Sequence, residues 1–218
     1  MGRRTMALTV LGLAWAAYFA LHSVLAADGV KRWLAATSPT LGSRYRLLYN
    51  LVAVVTLLPP VWLLHRAAGP TIVAWSGPLG VVADGLALVA VGVFAWSLRF
   101  YDGREFAGLG SPTGGARGLV ISPLHRHVRH PWYACALVLL WTRDMDLARL
   151  LVVVLATAYF VIGSRLEERK LLAEHGEAYA RYRARVPGLL PIPGRRLGAA
   201  EARELEALSR QRAGRVTR

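Results

Sequence analysis

The chain has 218 residues, of which 55% are hydrophobic, and its formal net charge is +14. The hydrophobic residues form long uncharged runs without a polar stripe, which excludes an ordinary soluble domain. Cys135 is the only cysteine, so the sequence excludes an internal disulfide and gives no support to a cysteine-based zinc or iron–sulfur site.

The apolar runs predict helices that cross a membrane. They cover residues 6–27, 47–64, 78–98 and 147–163, with a shorter run at 131–141. A bilayer core requires roughly 20 apolar residues in a helix, and the first run is too long for the core of a signal peptide. Pro59 and Pro60 should kink or stop the second helix. The sequence predicts an all-α integral membrane protein with about five transmembrane helices, the last two a short hairpin, followed by a cytoplasmic C-terminal helix.

The distribution of basic residues predicts the orientation in the membrane. Five crossings place the termini on opposite sides, and cytoplasmic loops are rich in Lys and Arg. A cytoplasmic C-terminus puts most of the basic residues inside; the exceptions are Arg3, Arg4, Arg66, Arg143 and Arg149. We therefore predict a multi-pass protein of the inner (cytoplasmic) membrane. The positive charge then faces anionic lipid, so the lipid bilayer is the expected partner and nucleic acid is not.

Three regions are expected along the chain. Residues 1–100 hold transmembrane helices 1–3, residues 101–194 form a ligand-binding core with the helical hairpin and a C-terminal helix, and residues 195–218 form a basic tail. We expect the tail to be poorly ordered or a surface helix. The connection at 99–130 contains six glycines and three of the six histidines, and a connection of this length is usually functional or disordered.

A basic segment precedes the helix that starts at Pro131. His125, Arg126, His127, Arg129 and His130 stand there, and the helix N-terminus adds a partial positive charge. This arrangement can receive a carboxylate or another anion, although a solvated loop that binds lipid headgroups has the same composition. The spacing fits no familiar zinc motif, and the interleaved arginines would repel a metal ion. We therefore predict that no metal is bound.

A second cluster is the pair Glu167–Glu168 at the end of the last apolar run, where the helix continues beyond the membrane until Gly176 interrupts it. Such residues are often simple surface charges. Adjacent helical positions point about 100° apart, so only one of the two carboxylates is expected to face a pocket. The hairpin returns the chain to the side of the basic segment. Together the two clusters predict a bipolar pocket for a ligand with both cationic and anionic groups.

These motifs resemble a known family of membrane enzymes. Arg129-His130-Pro131-x-Tyr133, then Glu167-Glu168, Gly176-x-x-Tyr179-x-x-Tyr182 and Val186-Pro187, are similar to the isoprenylcysteine carboxyl methyltransferase family, which shares the pattern with phospholipid methyltransferases. Residues 21–25, 44–50 and 100–109 resemble its bacterial NnrU and methanethiol S-methyltransferase branch. Cys135 stands where the family usually has Gly, and residues 123–126 depart from its Gly-Pro-Tyr-Arg pattern.

The resemblance implies a membrane-embedded methyltransferase that uses S-adenosylmethionine and a small-molecule or lipid acceptor, with a thiol or carboxylate favoured. It implies Arg129 and Glu167 as catalytic residues. The implied cofactor-binding residues are His125, His127, His130, Tyr133, Glu167 and Glu168. For an amine acceptor, His125 and His127 are candidate bases. Two alternatives are an NADPH-dependent reductase of the membrane sterol-reductase type and a non-catalytic NnrU-like membrane protein.

Overall fold

A computed structural model describes residues 2–109 and 118–216. Gly110, Gly114 and Gly115 of the glycine-rich connection lie outside the described residues. Within this part of the chain the structure is almost entirely helical. Its helices and strands, in chain order, are α1 (Gly2–Ala26), α2 (Asp28–Thr37), α3 (Pro39–Ser43), α4 (Tyr45–Arg66), β1 (Thr71–Val73), α5 (Gly77–Ser97), α6 (Gly103–Ala107), α7 (Pro131–Trp141), β2 (Met145–Asp146), α8 (Leu147–His175), α9 (Glu177–Arg185) and α10 (Ala199–Val216).

Among the described residues, four helices are long and apolar enough to cross a membrane: α1, α4, α5 with the turn that follows it, and α8. Large apolar side chains on these helices point outward, and Val81 and Leu88 are 74% and 73% exposed. Such exposure is stable only where lipid replaces water. The shorter α7 extends about 16 Å, roughly half the thickness of a bilayer core. The prediction of an all-α, multi-pass membrane protein is confirmed.

Helix α4 continues through Pro59 and Pro60 and ends at Arg66. Of the two expectations for these prolines, a stop is wrong, and a kink stays a prediction. Each proline removes one hydrogen bond from the helix, but the residues after Pro60 still complete its last turn, where Ala67 N–H donates to the carbonyl of Leu63 at 2.9 Å.

One compact unit comprises residues 1–83, 101–113 and 142–157. Its core joins Leu11 and Trp15 of α1 to Ala148 and Val152 of α8. The strands β1 and β2 form a small antiparallel sheet that the sequence did not predict. Asp146 of β2 stabilises the sheet and the start of α8, because its carboxylate accepts hydrogen bonds from the N–H groups of Gly69 at 2.9 Å and Arg149 at 2.7 Å.

The second unit comprises residues 84–100, 114–141 and 158–218. Its apolar core is built from residues 119–121, from α9 and α10, and from the residues that link these two helices. The buried members are Leu119, Ile121, Tyr179, Tyr182, Val186, Leu197, Ala202 and Leu205. Gly176 separates α8 from α9 with a φ of 57°, a conformation that favours glycine. The predicted interruption at Gly176 is confirmed.

The end of the chain forms a packed helix. Ala202, Leu205 and Ser209 of α10 are buried, and their spacing of three and four residues places them on one face. Of the two expectations for this region, a helix is observed over Ala199–Val216. The division of the chain at residues 100 and 194 stays a prediction.

Candidate functional site

The basic segment before α7 is held in place by α9 and the residues after it. Tyr182 donates its hydroxyl hydrogen to the carbonyl of His125 at 2.7 Å. The backbone N–H groups of Arg129 and His130 donate to the carbonyls of Pro187 at 2.9 Å and Gly188 at 3.0 Å. These bonds hold the segment in a defined conformation. A surface loop that only binds lipid headgroups would not need such a conformation.

Arg129 and Glu168 form a buried ion pair at the centre of the site. The guanidinium approaches Oε1 of Glu168 through Nε at 2.8 Å and Nη2 at 2.7 Å, and the two side chains are only 12% and 11% exposed. Nη1 donates to the carbonyl of Arg183 at 3.0 Å and also to that of Val186. The planar guanidinium therefore connects the basic segment, the end of α8 and the end of α9, which an ammonium group could not do.

His130 links both carboxylates to an aromatic stack. Its Nε2 lies 3.1 Å from Oε1 of Glu168, and its Nδ1 lies 3.6 Å from Oε2 of Glu167. The imidazole stacks on Tyr133 at 5.5 Å between ring centroids, and Tyr133 stacks on Phe160 at 4.9 Å. The stack restricts the rotation of His130, so the imidazole stays directed at the glutamates.

A cavity of about 340 Å³ opens beside this cluster, within the range of small-molecule sites. It is lined by Gly118, Leu119, Val120, His125, Arg129, His130, Glu167, Leu171, Glu174, His175, Tyr179 and Tyr182. Glu167, Leu171 and Glu174 are spaced by four and three residues on α8, so one helix face supplies this wall over about 10 Å. The wall is apolar in its middle and carries a carboxylate at each end.

The two adjacent glutamates have different surroundings. Glu168 is buried in the ion pair. Glu167 lines the cavity, and its side chain is 51% exposed. The helix directs one carboxylate into the protein and the other into the cavity, as the sequence led us to expect for an adjacent pair.

The predicted histidines are not equivalent. His125 lines the cavity and hydrogen-bonds through Nδ1 to Ser122 Oγ at 2.7 Å. Burial, reinforced by the nearby His130, lowers the pKa of His125 to about 4, so its ring is neutral at pH 7. His127 is exposed and is not among the residues that line the cavity. Tyr133 is not among the residues that line the cavity, and it stacks on His130.

Helix α10 supports the cavity wall at residues 119–121. Ser209 Oγ accepts from the N–H of Leu119 at 2.9 Å, and it also hydrogen-bonds to Nδ1 of His175 at 2.9 Å. Glu206 Oε1 accepts from the N–H of Ile121 at 2.7 Å. The sequence reasoning missed Ser209 and Glu206, because the tail has the composition of an ordinary charged helix.

The sequence reasoning also assigned no role to three cavity residues. Glu174 and His175 stand seven residues after Glu167 and Glu168, a helical period that could have suggested them. Tyr179 was noted only as part of the Gly-x-x-Tyr-x-x-Tyr pattern.

No group of three or more His, Cys, Asp or Glu side chains that could hold a metal occurs in residues 2–109 and 118–216. The absence of a metal stays a prediction.

Comparison with known proteins finds relatives that carry the name methanethiol S-methyltransferase. The chain is 32% identical to methanethiol S-methyltransferase 2 of Bradyrhizobium diazoefficiens over 191 residues, which are 78% of this chain and 68% of the relative. It is 34% identical to methanethiol S-methyltransferase of Mycobacterium tuberculosis over 199 residues, covering 85% and 79%. The corresponding enzyme of Crocosphaera subtropica is 30% identical over 196 residues, covering 82% and 72%. No family model matches the chain, and no solved structure matches it.

The apolar helices and these relatives define a multi-pass membrane methyltransferase. The chain belongs to the methanethiol S-methyltransferase family. This confirms the resemblance drawn from the Arg-His-Pro and Glu-Glu motifs, and it gives no support to the reductase or to the non-catalytic alternative.

Proposed function

We propose that the protein transfers the methyl group of S-adenosylmethionine to a small thiol, and that the cavity beside Glu167 is the site where the methyl donor binds. The observation that carries the acceptor class is the shared name of the relatives, all methanethiol S-methyltransferases at 30–34% identity over most of this chain. The observation that carries the donor site is the cavity between the two predicted motifs.

The residues of the cavity fit the donor chemically. S-adenosylmethionine has a sulfonium and an ammonium group, for which the half-exposed carboxylate of Glu167 is a suitable partner. Its apolar surface suits Leu119, Val120 and Leu171, and a second carboxylate, Glu174, lies at the far end of the same wall. Tyr179 brings a buried hydroxyl that has no hydrogen-bond partner within the described part of the chain. An orphaned polar group in a cavity is consistent with a ligand that completes it.

The reaction needs little covalent chemistry from the protein. A thiolate sulfur attacks the methyl carbon, the bond between that carbon and the sulfonium sulfur breaks, and its electron pair neutralises the sulfonium. The products are a methyl thioether and S-adenosylhomocysteine, and the thiol proton passes to solvent. The protein supplies alignment of the two sulfur atoms and shelter from water. His125 is a weak base because its pKa is about 4.

We assign Glu167 to the cationic part of the donor. Arg129 acts first as a positioning residue, since it holds Glu168 and the end of α9. Contacts with the described residues engage four of the five guanidinium N–H groups, and in this part of the chain one N–H of Nη2 remains for the donor's carboxylate. His130 and Tyr133 orient the glutamates, and Glu168 keeps both Arg129 and His130 in place.

We also propose that the protein lies in the inner membrane with a cytoplasmic C-terminus. The excess of Lys and Arg on that side supports this orientation. The basic segment, the end of α8 and α10 would then face the cytosol, the compartment that supplies S-adenosylmethionine. A small apolar thiol can reach the same site from the bilayer or from water.

The proposal is tested with purified protein in lipid nanodiscs and methyl-labelled S-adenosylmethionine. We expect transfer of the label to methanethiol, with dimethyl sulfide as the volatile product measured by gas chromatography. Longer alkyl thiols, fatty carboxylates and phospholipid amines serve as competing acceptors, and Glu167→Gln serves as the matched variant. Label transfer to lipids or carboxylates but to no thiol would contradict the acceptor class. A parent protein that binds no S-adenosylmethionine would contradict the whole proposal.

A further inference from the structure

The hydroxyl of Tyr179 is an unusual feature of the cavity. Tyr179 is 1% exposed and lines the cavity, yet its hydroxyl has no hydrogen-bond partner among residues 2–109 and 118–216. Tyr182 lines the same cavity and does use its hydroxyl, which donates to the carbonyl of His125. Burying a hydroxyl without a partner costs free energy. The unpaired group of Tyr179 therefore indicates a ligand that supplies the missing partner.

Tyr179 can act only as a neutral hydrogen-bond donor or acceptor. Burial raises the pKa of its hydroxyl well above 10, the charge of Glu168 raises it further, and Arg129 offsets part of the effect. The phenol therefore keeps its proton at every physiological pH. Arg129 lines the same cavity as Tyr179, and its charge acts on the hydroxyl.

The position of Tyr179 is fixed by packing. The ring belongs to the core cluster that contains Leu119, Val186 and Leu205. It also makes an edge-to-face contact with Tyr182 at 5.7 Å between centroids. The hydroxyl is therefore oriented before any ligand arrives, which lowers the entropy cost of a hydrogen bond to the ligand.

We propose that the hydroxyl of Tyr179 donates a hydrogen bond to the carboxylate of the methyl donor, beside the one N–H that Arg129 has left. This inference rests on the proposed function. It adds Tyr179 to the ligand-binding residues, which the methyltransferase motifs had placed in the Arg-His-Pro and Glu-Glu elements. It also explains how a carboxylate can be recognised at a site where the arginine is largely engaged by Glu168.

The test measures binding of two ligands by titration calorimetry: S-adenosylmethionine and its decarboxylated analogue. Each is titrated into the parent protein, Tyr179→Phe and the matched control Tyr182→Phe. Both variants remove one oxygen and keep the ring in the core. A hydrogen bond to a charged group is worth about tenfold or more in affinity. We expect Tyr179→Phe to weaken S-adenosylmethionine by about that factor and to leave the analogue unchanged.

Thermal unfolding separates a binding role from a structural one. Tyr179→Phe removes an unpaired hydroxyl, so its unfolding midpoint should equal or exceed that of the parent. Tyr182→Phe loses the hydrogen bond to the carbonyl of His125, so its unfolding midpoint should fall. Its preference for S-adenosylmethionine over the decarboxylated analogue should equal that of the parent.

The outcomes are distinguishable. If Tyr179→Phe binds both ligands as the parent does, or weakens both equally, the assignment of the carboxylate to Tyr179 is overturned while the proposed function stands. If the parent itself binds the two ligands equally well, the assignment fails without reference to any variant. If the parent binds neither ligand, the proposed function fails and this inference fails with it.

Discussion

Glu167 and Glu168 are adjacent in sequence, and changing each to glutamine should affect different properties. Glu168 is the buried partner of Arg129, with side chains 11% and 12% exposed. Removing one member of a buried ion pair costs about 3–5 kcal/mol, and the retained amide oxygen should keep Glu168→Gln near the lower limit. Glu167 is half exposed and 3.6 Å from His130. Glu167→Gln should therefore change the free energy of unfolding by less than about 0.5 kcal/mol.

The affinity for S-adenosylmethionine should rank the two variants differently from the free energy of unfolding. Glu167 faces the cavity, and loss of a charge-assisted contact to a bound cation should weaken S-adenosylmethionine about ten- to a hundredfold. Glu168→Gln should weaken it as well, but only together with the loss of stability. The comparison therefore depends on measuring both properties for both variants.

Cys135 provides the stability assay. It is the only cysteine and it is buried, so a thiol-reactive fluorescent dye should label it only as the protein unfolds. Unfolding midpoints for the parent and the two variants are compared with dissociation constants from calorimetry. Equal losses of stability in the two variants would refute the assignment of Glu168 to the interior and Glu167 to the cavity.

Four other outcomes are expected. His125 has a pKa of about 4 in the folded protein and about 6.5 when unfolded; the unfolded state therefore binds an extra proton as the pH falls through this window. Stability should decrease by roughly 3 kcal/mol between pH 7 and pH 4, and His125→Gln should show a smaller decrease in the same titration, whereas equal decreases would refute the assignment. Arg129→Lys should lower both stability and donor affinity because Lys lacks the planar fork, whereas Arg196→Lys in the exposed tail should match the parent. Ser209→Ala should lower the unfolding free energy by about 1–2 kcal/mol because the N–H of Leu119 loses its acceptor; an unchanged midpoint would mean that α10 does not support the cavity wall. A reporter fused after residue 218 should have cytoplasmic activity, and periplasmic activity would contradict the proposed orientation.

The class of the protein could be predicted from the sequence because hydropathy acts over whole segments. Runs of about 20 apolar residues without charge leave a bilayer as the only suitable solvent, whatever the details of packing. The interruption of the helix at Gly176 could also be predicted, since a glycine between two helical patterns marks a change of backbone direction. Pro59 and Pro60 were a weaker signal: a proline removes one hydrogen bond, and neighbouring turns can keep the helix intact.

The pairing of the two motifs could be anticipated in the same way. A short hairpin brings residues on its two sides to one end, so Arg129 and Glu168 were expected near each other despite their separation of 39 residues. Pattern alone could not determine the partners of each charged group. Adjacent residues on a helix point in different directions, and the neighbours of α8 decide which direction is buried.

Tertiary structure determined the parts of the site that depend on contacts between distant segments. The sequence established a membrane protein, its helices and the two motifs, because these properties arise from local composition and period. Only the folded chain places Glu168 against Arg129, leaves Glu167 in the cavity and brings Ser209 to Leu119 across 90 residues. The physical reason is that a hydrogen bond or an ion pair depends on distances of about 3 Å, which are set by packing and carry no signature in the order of residues.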